Sequence, residues 1–449
     1  MSTNLLYKFP ILFLLAGCLS SGLSSYVLAD PGMSSVHGGD FTLQQSMVRD
    51  LIDKDRIGLD DFLRIAEVLN PEVRAAWNDV GTADGRFRQA TLYPNPTLEI
   101  EAEDVPARNL GLSHSENMVA VVQPIIPGRR RLAAISAATV ERDTRRLAVQ
   151  HKIREVQSEV RLVYVEVLYI KQAIALQAEL LDTAQQTFQI ARTRFKARAA
   201  PETEIIKTRI DVHELELGRQ RLNRLLMVAA ERLRSLLGGV DIPIERIEGD
   251  LPENNPELDQ EHLRTVVRES SPGLLAARKD IEATDRLIDL AEAELIPGID
   301  IRVAYGRNNA TDEEIVEAGI SLPLPLFNRN QGRIIEARHR ADKARRHAES
   351  LANTLLLEVT AAYASYMTAR DEIATLQDQI VPAAERAFSQ AKEGYQAGKT
   401  SLLDLLDAQR TLMKARQSRL ESLKDQNIAW VHLWKIVGPT IENRSKTKE

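Results

Sequence analysis

Residues 97–103 read Thr-Leu-Glu-Ile-Glu-Ala-Glu, and this short stretch decides which folds are open to the chain. Its side chains alternate between small or apolar groups and the glutamates Glu99, Glu101 and Glu103. That period of two is typical of a strand with one apolar and one acidic face. A polar loop separates this segment from a second one, residues 117–124, in which the alternation is weaker. Together the two segments predict a β-hairpin.

The same hairpin recurs about 200 residues later, in the alternating segments 299–306 and 315–322. Other landmarks repeat with the same spacing, such as Asn70-Pro71 with Ser271-Pro272 and Leu237-Gly238 with Val437-Gly438. A period of this length indicates a duplicated domain and not a short structural repeat. The predicted parts are a first copy over 59–240, a linker over 241–270, a second copy over 271–438 and a polar tail over 439–449.

Long helical tracts follow each hairpin. No proline or glycine interrupts Arg129 to Phe195, and a helix of that length would extend about 100 Å. Its apolar residues step by three and four, as in coiled coils, and residues 359–380 repeat the pattern before Pro382, where we expect a kink or a junction. The predicted fold class is therefore mainly α with a small β part, built on long coiled-coil helices.

Four short strands cannot close a sheet on themselves. In lipid, an open sheet edge leaves backbone groups unpaired at a cost of several kcal/mol each. Three protomers would contribute about twelve strands to one closed barrel, with the apolar face outward and Glu99, Glu101 and Glu103 facing the lumen. A small soluble sheet with one solvated face is the alternative interpretation of a single hairpin, but the duplicated arrangement favours the barrel.

The N-terminus carries an export signal. Lys8 precedes the apolar run 9–15, which is too short to span a bilayer but suits a signal-peptide core. The following Leu15-Ala16-Gly17-Cys18 resembles a bacterial lipobox, so we predict a signal peptide over 1–17, a lipid anchor at Cys18 and a tether over 18–58. The alternative is ordinary cleavage after Ala29, with loss of Cys18, which is the chain's only cysteine.

Composition argues against several other functions. The net charge of -6 offers no excess of cationic groups for nucleic acid. The 8 His, 1 Cys and 7 Met are scattered without the spacing of a zinc site, and a phosphate-binding loop and a nucleophile elbow are both missing from the sequence. We therefore expect neither catalysis nor a cofactor nor a resident metal.

With these features in view, residues 59–438 resemble the TolC family of outer-membrane efflux proteins. The motifs that carry the resemblance are Asn70-Pro71-Glu72, Tyr93-Pro94-Asn95-Pro96, Gln123-Pro124 with Gly128-Arg129-Arg130, and Gly394-Tyr395 through Leu405-Leu406-Asp407-Ala408. The second and third of these look most like the branch that serves cobalt/zinc/cadmium-type metal pumps. The resemblance implies a homotrimer with a twelve-stranded barrel in outer-membrane lipid of a Gram-negative cell and a helical tunnel in the periplasm. It also implies a periplasmic adaptor protein and an inner-membrane pump of the resistance-nodulation-division type as partners.

The resemblance also suggests where a gate lies. Tyr395 matches the family's gate tyrosine, Thr203 and Glu204 match the residues that bond across the closed gate, and Asp404 and Asp407 match the aspartates of the periplasmic constriction. The last two are three residues apart on a helix, so they share a face, and a trimer would carry about six such carboxylates. Their alternative interpretation is a solvated helix face. The adaptor-docking tips would be the two inter-helix turns, comprising Ala197, Arg198, Pro201, Gly398, Lys399, Thr400 and Ser401. Two of these depart from the family pattern, because Thr400 replaces a frequent arginine and Arg198 a frequent glycine.

The function expected from these features is passive conduction of exported solutes. Divalent heavy-metal cations are the expected cargo, since an acidic lining of weak sites suits them. Two alternatives stay open at this point. One is a drug or organic-compound efflux channel of the same family, and the other is a periplasmic coiled-coil adaptor or scaffold, which would need no lipid-facing strands.

Overall fold

The computed structural model describes residues 48–105, 114–253 and 256–438. The chain divides into a unit of residues 1–55 and a unit of residues 56–449. In the first unit, residues 48–52 are helical. The predicted signal peptide, the lipid anchor Cys18, the tail over 439–449 and the tip of the first hairpin loop at 106–113 lie outside the described residues.

The first copy begins with two short helices and a hairpin and continues with two long helices. Its elements are α1 (Leu59–Leu69), α2 (Pro71–Thr91), β1 (Thr97–Glu103), β2 (Glu116–Ile125), α3 (Gly128–Lys196) and α4 (Glu202–Leu236). Asn70 caps α2, because its side-chain oxygen accepts hydrogen bonds from the backbone N–H groups of Glu72 and Val73, and Pro71 occupies the first helical turn.

The second copy repeats this order, and its first helix lies within residues 241–270, the segment predicted to be a linker. Its elements are α5 (Gln260–Ser270), α6 (Pro272–Ala293), β3 (Ile299–Asn308), β4 (Glu313–Ser321), α7 (Gln331–Thr375), α8 (Val381–Gln396) and α9 (Leu402–Val437). One long helix of the first copy thus corresponds to two helices in the second. A π-helical turn, Leu376–Ile380, separates α7 from α8 just before Pro382. Because proline cannot donate a backbone hydrogen bond and its ring crowds the preceding turn, the wider turn accommodates it.

Helix packing accounts for the core. In α3, 69 residues long, buried side chains such as Val156, Val160, Val163 and Val167 form the stripe that packs against neighbouring helices. A second cluster joins α5, α7 and α9 around the fully buried Tyr366 and Leu433. Within the described ranges, no helix contains a stretch that is both long and apolar enough to cross a bilayer.

The four strands form one antiparallel sheet in the order β1-β2-β3-β4. The two hairpins therefore join through β2 and β3, and β1 and β4 remain as open edges. The predicted strands are present with ends within three residues of those expected. The predicted class, long coiled-coil helices with a small β part and an internal duplication, is confirmed.

The register separates the sheet into two faces of opposite character. Leu98, Ile100, Val316 and Ile320 lie on what we call the apolar face, and each is more than half exposed. The opposite side, here called the acidic face, carries seven carboxylates and one cation, which the register lists as Glu99, Glu101, Glu103, Glu116, Asp300, Arg302, Glu313 and Glu317. A soluble sheet would bury its apolar side, so this distribution is reversed relative to a water-soluble fold.

Candidate gate and pore-lining face

The two inter-helix turns have the same backbone. In the first, residues 197–201, Arg198 has φ 59° and the N–H of Ala199 donates to the carbonyl of Arg194 at 2.8 Å. In the second, residues 397–401, Gly398 has φ 73° and the N–H of Lys399 donates to the carbonyl of Gly394 at 2.7 Å. Both helices thus end in the left-handed cap that favours glycine, and Arg198 adopts it without one.

Tyr395 joins the two helical hairpins next to these turns. Its side chain is fully buried, and its hydroxyl donates a hydrogen bond of 2.6 Å to Glu204 Oε2 in the first turn of α4. Burial, together with this bond to a carboxylate, raises the pKa of the Tyr395 hydroxyl, so it stays protonated and can donate at neutral pH. We call this contact the Tyr395–Glu204 latch.

Arg194, near the end of α3, strengthens the same junction. Its guanidinium lies 4.4 Å from the centre of the Tyr395 ring and donates a hydrogen bond to the Tyr395 carbonyl oxygen. Around them, Leu402, Leu405 and Leu406 form a buried apolar cluster with Tyr395. No local sequence pattern indicates Arg194, because its role depends on the approach of a helix about 200 residues away in the chain.

Asp404 has a local structural role in addition to the predicted one. Its Oδ2 accepts hydrogen bonds from the backbone N–H and the hydroxyl of Ser401, at 3.0 and 2.7 Å, and forms the capping box of α9. These bonds lower the pKa of the exposed Asp404 carboxylate. Asp407, one turn further along, is also exposed, so the two carboxylates share one accessible helix face.

The remaining tip residues are mostly exposed. Ala197, Arg198, Lys399 and the predicted gate residue Thr203 present their side chains to solvent. Thr400 is half-buried instead, and its hydroxyl donates to the carbonyl of Ala391 at 3.2 Å. The structure therefore brings Tyr395 and Glu204 into contact, and it does not join Thr203 to them.

A buried polar contact between α4 and α9 lies beyond the latch. Gln409 Nε2 donates a hydrogen bond of 2.8 Å to Asp211 Oδ2, and both side chains are at least nine-tenths buried. Burial raises the pKa of the Asp211 carboxyl. Glu204, Thr208 and Asp211 follow one another at steps of four and three, so a polar stripe at coiled-coil spacing was the signal in the sequence that could have revealed this contact.

The acidic face of the sheet is organised around Arg302. Its Nη1 lies 2.9 Å from Glu317 Oε2 on β4, its Nε lies 3.5 Å from Glu99 Oε2 on β1, and its Nη2 pairs with Glu101. The predicted lumen glutamates Glu99 and Glu101 are therefore not free carboxylates but partners of one arginine. The alternation in residues 299–306 puts Arg302 on the side opposite Ile301 and Val303, but it does not indicate which carboxylates the guanidinium reaches.

The described residues contain no group of three or more His, Cys, Asp or Glu side chains arranged to hold a metal ion. The candidate site is a set of contacts between helical hairpins and a charged strand surface.

Comparison with known proteins identifies relatives of this arrangement. The model of the family described as outer membrane efflux protein matches residues 63–239 and again 263–439, two copies offset by the repeat. The cobalt-zinc-cadmium resistance protein CzcC of Cupriavidus metallidurans is 29% identical over 364 residues, which cover 80% of this chain and 84% of CzcC. The pyoverdine export outer membrane protein OpmQ of Pseudomonas putida is 24% identical over 335 residues, 71% of this chain and 67% of OpmQ.

The fold itself matches a solved structure of the outer-membrane channel OprN. The TM-score is 0.73 at 16% identity, with 88% of this chain and 92% of that chain covered. At this identity the likeness concerns the fold alone.

Proposed function

Because the chain belongs to the outer membrane efflux protein family, we propose that it is one protomer of a trimeric channel that conducts divalent heavy-metal cations out of the cell. The family predicted from the motifs is confirmed, and with it the location in the outer membrane of a Gram-negative cell. Family membership therefore establishes the general function, efflux through an outer-membrane channel. The trimer, its partners and its cargo are the proposal.

One observation carries the proposal: the sheet exposes its apolar face and leaves both edges open. Ile100 and Ile320 are 79% and 76% exposed, which is costly in water and favourable in lipid. The open edges β1 and β4 need partners in a bilayer, and copies of the same chain offer them. Three copies give about twelve strands, a number within the range of bacterial barrels. Lipid then contacts the apolar face, and the acidic face lines the pore.

The proposed partners dock at the helical tips. The exposed turns at 197–201 and 397–401 have matching backbones, so they would offer an adaptor protein similar surfaces in both hairpins. The adaptor would connect the channel to an inner-membrane pump of the resistance-nodulation-division type, which supplies the energy. Consistent with a passive conduit, we assign the chain no catalytic residues.

The proposed gate combines the latch with the helix face of Asp404 and Asp407. The Tyr395–Glu204 latch holds the two hairpins of one protomer together in the closed state. Six carboxylates from three protomers would then surround the opening and favour cations over anions. Cys18 would anchor the mature chain in the membrane through a lipid.

The cargo proposal rests on the acidic face and on similarity to CzcC. Seven acidic and one basic side chain on the acidic face give a net charge of 1 − 7 = −6 per protomer, which attracts cations without binding them in a closed site. CzcC is a cobalt-zinc-cadmium resistance protein. Organic-compound efflux is the second candidate, and the similarity to OpmQ favours it. Family membership makes a periplasmic scaffold the weakest of the alternatives.

A deletion strain tests the cargo. We expect loss of the gene to reduce growth in Co²⁺, Zn²⁺ or Cd²⁺, to leave tolerance of dyes and organic solvents unchanged, and to be rescued by the wild-type chain. Sensitivity confined to organic compounds would support the second candidate and contradict metal export.

A further inference from the structure

Arg302 is the single basic side chain on the acidic face of the sheet, among seven carboxylates. The gate does not involve it, and it makes no contact that the helical hairpins require. It is a quarter exposed, so its guanidinium is accessible to water and ions on that face. Arg302 is thus a single cation on the acidic face, whose carboxylates attract other cations.

The Arg302 side chain can reach its partners on β1 only if the residues between β3 and β1 are small. Glu99 and Glu101 lie on β1, two strands from β3, which corresponds to about 10 Å across the sheet. On the intervening row, Glu99 is opposite Ala120, Ala120 is opposite Ala304, and Ala304 is opposite Glu317. Both alanines are 1% exposed, as expected if the longer Arg302 side chain passes over their short side chains to reach β1. Larger residues on this row would block the crossing.

The guanidinium uses its nitrogens separately. Nε faces Glu99, Nη2 faces Glu101 and Nη1 faces Glu317, so three carboxylates from two strands on either side converge on one planar cation. The local charge of the cluster is 1 − 3 = −2, compared with −3 if the arginine were neutral.

We propose that Arg302 is a selectivity-determining residue of the pore, a built-in counter-cation that limits how strongly the strand wall favours cations. This inference rests on the proposed function, because it requires the acidic face to line the pore. By occupying three carboxylates, Arg302 prevents permeating cations from collecting at them. A wall that holds its cargo weakly lets it leave quickly, which is what conduction requires.

The experiment measures the reversal potential of the purified channel in planar bilayers under a KCl gradient. We expect R302Q to raise the ratio of cation to anion permeability by roughly twofold, because three carboxylates per protomer become available to mobile cations. R302K should stay close to the wild type, because it retains the charge. E317Q should shift the ratio in the opposite direction from R302Q, since it removes a negative charge from the same cluster.

Arg307 provides the matched control on the same strand. It lies five residues further along, on the other face of β3, and pairs with Asp312 at the hairpin turn. R307Q removes the same charge but should leave the reversal potential unchanged. A purely structural role for Arg302 would make R302Q and E317Q change the ratio in the same direction, which would overturn the inference.

The outcomes also separate this inference from the proposed function. If the wild-type protein forms no conducting pore, the proposed function fails. If the wild-type protein conducts and R302Q has the same selectivity, the proposed function is supported and the role inferred for Arg302 is contradicted. If R302Q does not assemble, E317Q and R302K still test the role of Arg302. A charge-based role requires a lower ratio of cation to anion permeability in E317Q and an unchanged ratio in R302K.

Discussion

At the scale of single residues, the latch between Tyr395 and Glu204 is the contact most directly open to test. Tyr395→Phe removes the hydroxyl that donates to the carboxylate and leaves the ring in its apolar cluster. A buried hydrogen bond to a charged group contributes about 1.5–3 kcal/mol, so we expect the closed state to weaken and closed-channel conductance to rise. Bilayer recording at constant voltage measures this increase.

The conservative variant Glu204→Gln keeps an acceptor for the tyrosine hydroxyl and should open the channel less than Tyr395→Phe. If Tyr395→Phe instead leaves closed-channel conductance at the wild-type level, the latch contributes nothing to gating. Arg194 would then be the contact that holds the hairpins, through its bond to the Tyr395 carbonyl.

The aspartates of the proposed constriction need three variants, because Asp404 is also a helix cap. Asp407→Asn removes a charge and leaves the cap, so cation selectivity should fall without a change in thermal stability. Ser401→Ala removes the cap and leaves both charges, so the melting temperature should fall without a change in selectivity. Asp404→Ala should change both, as reversal potentials and circular dichroism would record.

The pH dependence of the cap has a defined sign. The hydrogen bonds from Ser401 lower the pKa of Asp404 below its ordinary value of 3.8, so the cap is present above that pH and is lost as the pH falls through the folded-state pKa. If the cation selectivity of the Asp407→Asn variant matches the wild type at neutral pH, Asp407 does not belong to the constriction.

At the scale of elements, β4 offers two adjacent small residues on opposite faces of the sheet. Ala318 lies on the apolar face and Gly319 on the acidic face, where an added Cβ atom would have no neighbouring atom within 4 Å. An arginine on a lipid-facing strand costs about 2–4 kcal/mol near the bilayer centre, whereas one facing the lumen does not. We therefore expect Ala318→Arg to reduce assembly in the outer membrane strongly and Gly319→Arg to assemble normally. Quantifying the folded protein in membrane fractions compares the two, and equal amounts would contradict the assignment of the faces.

Which elements could be predicted from the sequence follows from the range of the interactions that form them. Alternation within β1 and β3 depends on neighbours two residues apart, and the strands are present where that pattern indicated them. In β2, Met118 and Ala120 face the acidic side and are buried there, so both faces of this central strand are apolar and its alternation is weak. The junction expected at Pro382 is present as a π-helical turn, and the sequence did not indicate this form because it reveals the position of a proline but not the local helix geometry.

The contacts of the candidate site were less accessible to sequence analysis. Tyr395 and Glu204 are 191 positions apart, and resemblance to a family, not spacing, suggested them. Resemblance to the family also suggested Asp404, while its bonds to Ser401 show a local function that the residues 401–404 could have indicated as a capping box. Arg302 and the Asp211–Gln409 contact depend on which strands and helices become neighbours, which no local pattern specifies.

At the scale of the whole molecule, the open edges of the sheet predict how copies must join. Within one protomer β1 and β4 are separated by β2 and β3, so they lie about 14 Å apart, well beyond the reach of a disulfide. Cysteines placed one in β1, at Ala102, and one in turn at each position of Glu313–Ser321 can therefore cross-link only between protomers. We expect covalent dimers and trimers on non-reducing gels at some β4 positions and none with either cysteine alone.

The pattern of linked positions carries more information than the presence of a band. In a closed antiparallel sheet, successive β4 residues point to alternate faces and rise about 3.4 Å each, so cross-linking should be strong at the one position opposite Ala102 and weak at its two neighbours in the chain. A ladder that stops at three protomers would establish a closed ring, since an open chain of copies would continue to higher oligomers. Monomer alone at every position would mean that these edges do not meet, and the pore would have to be formed in some other way.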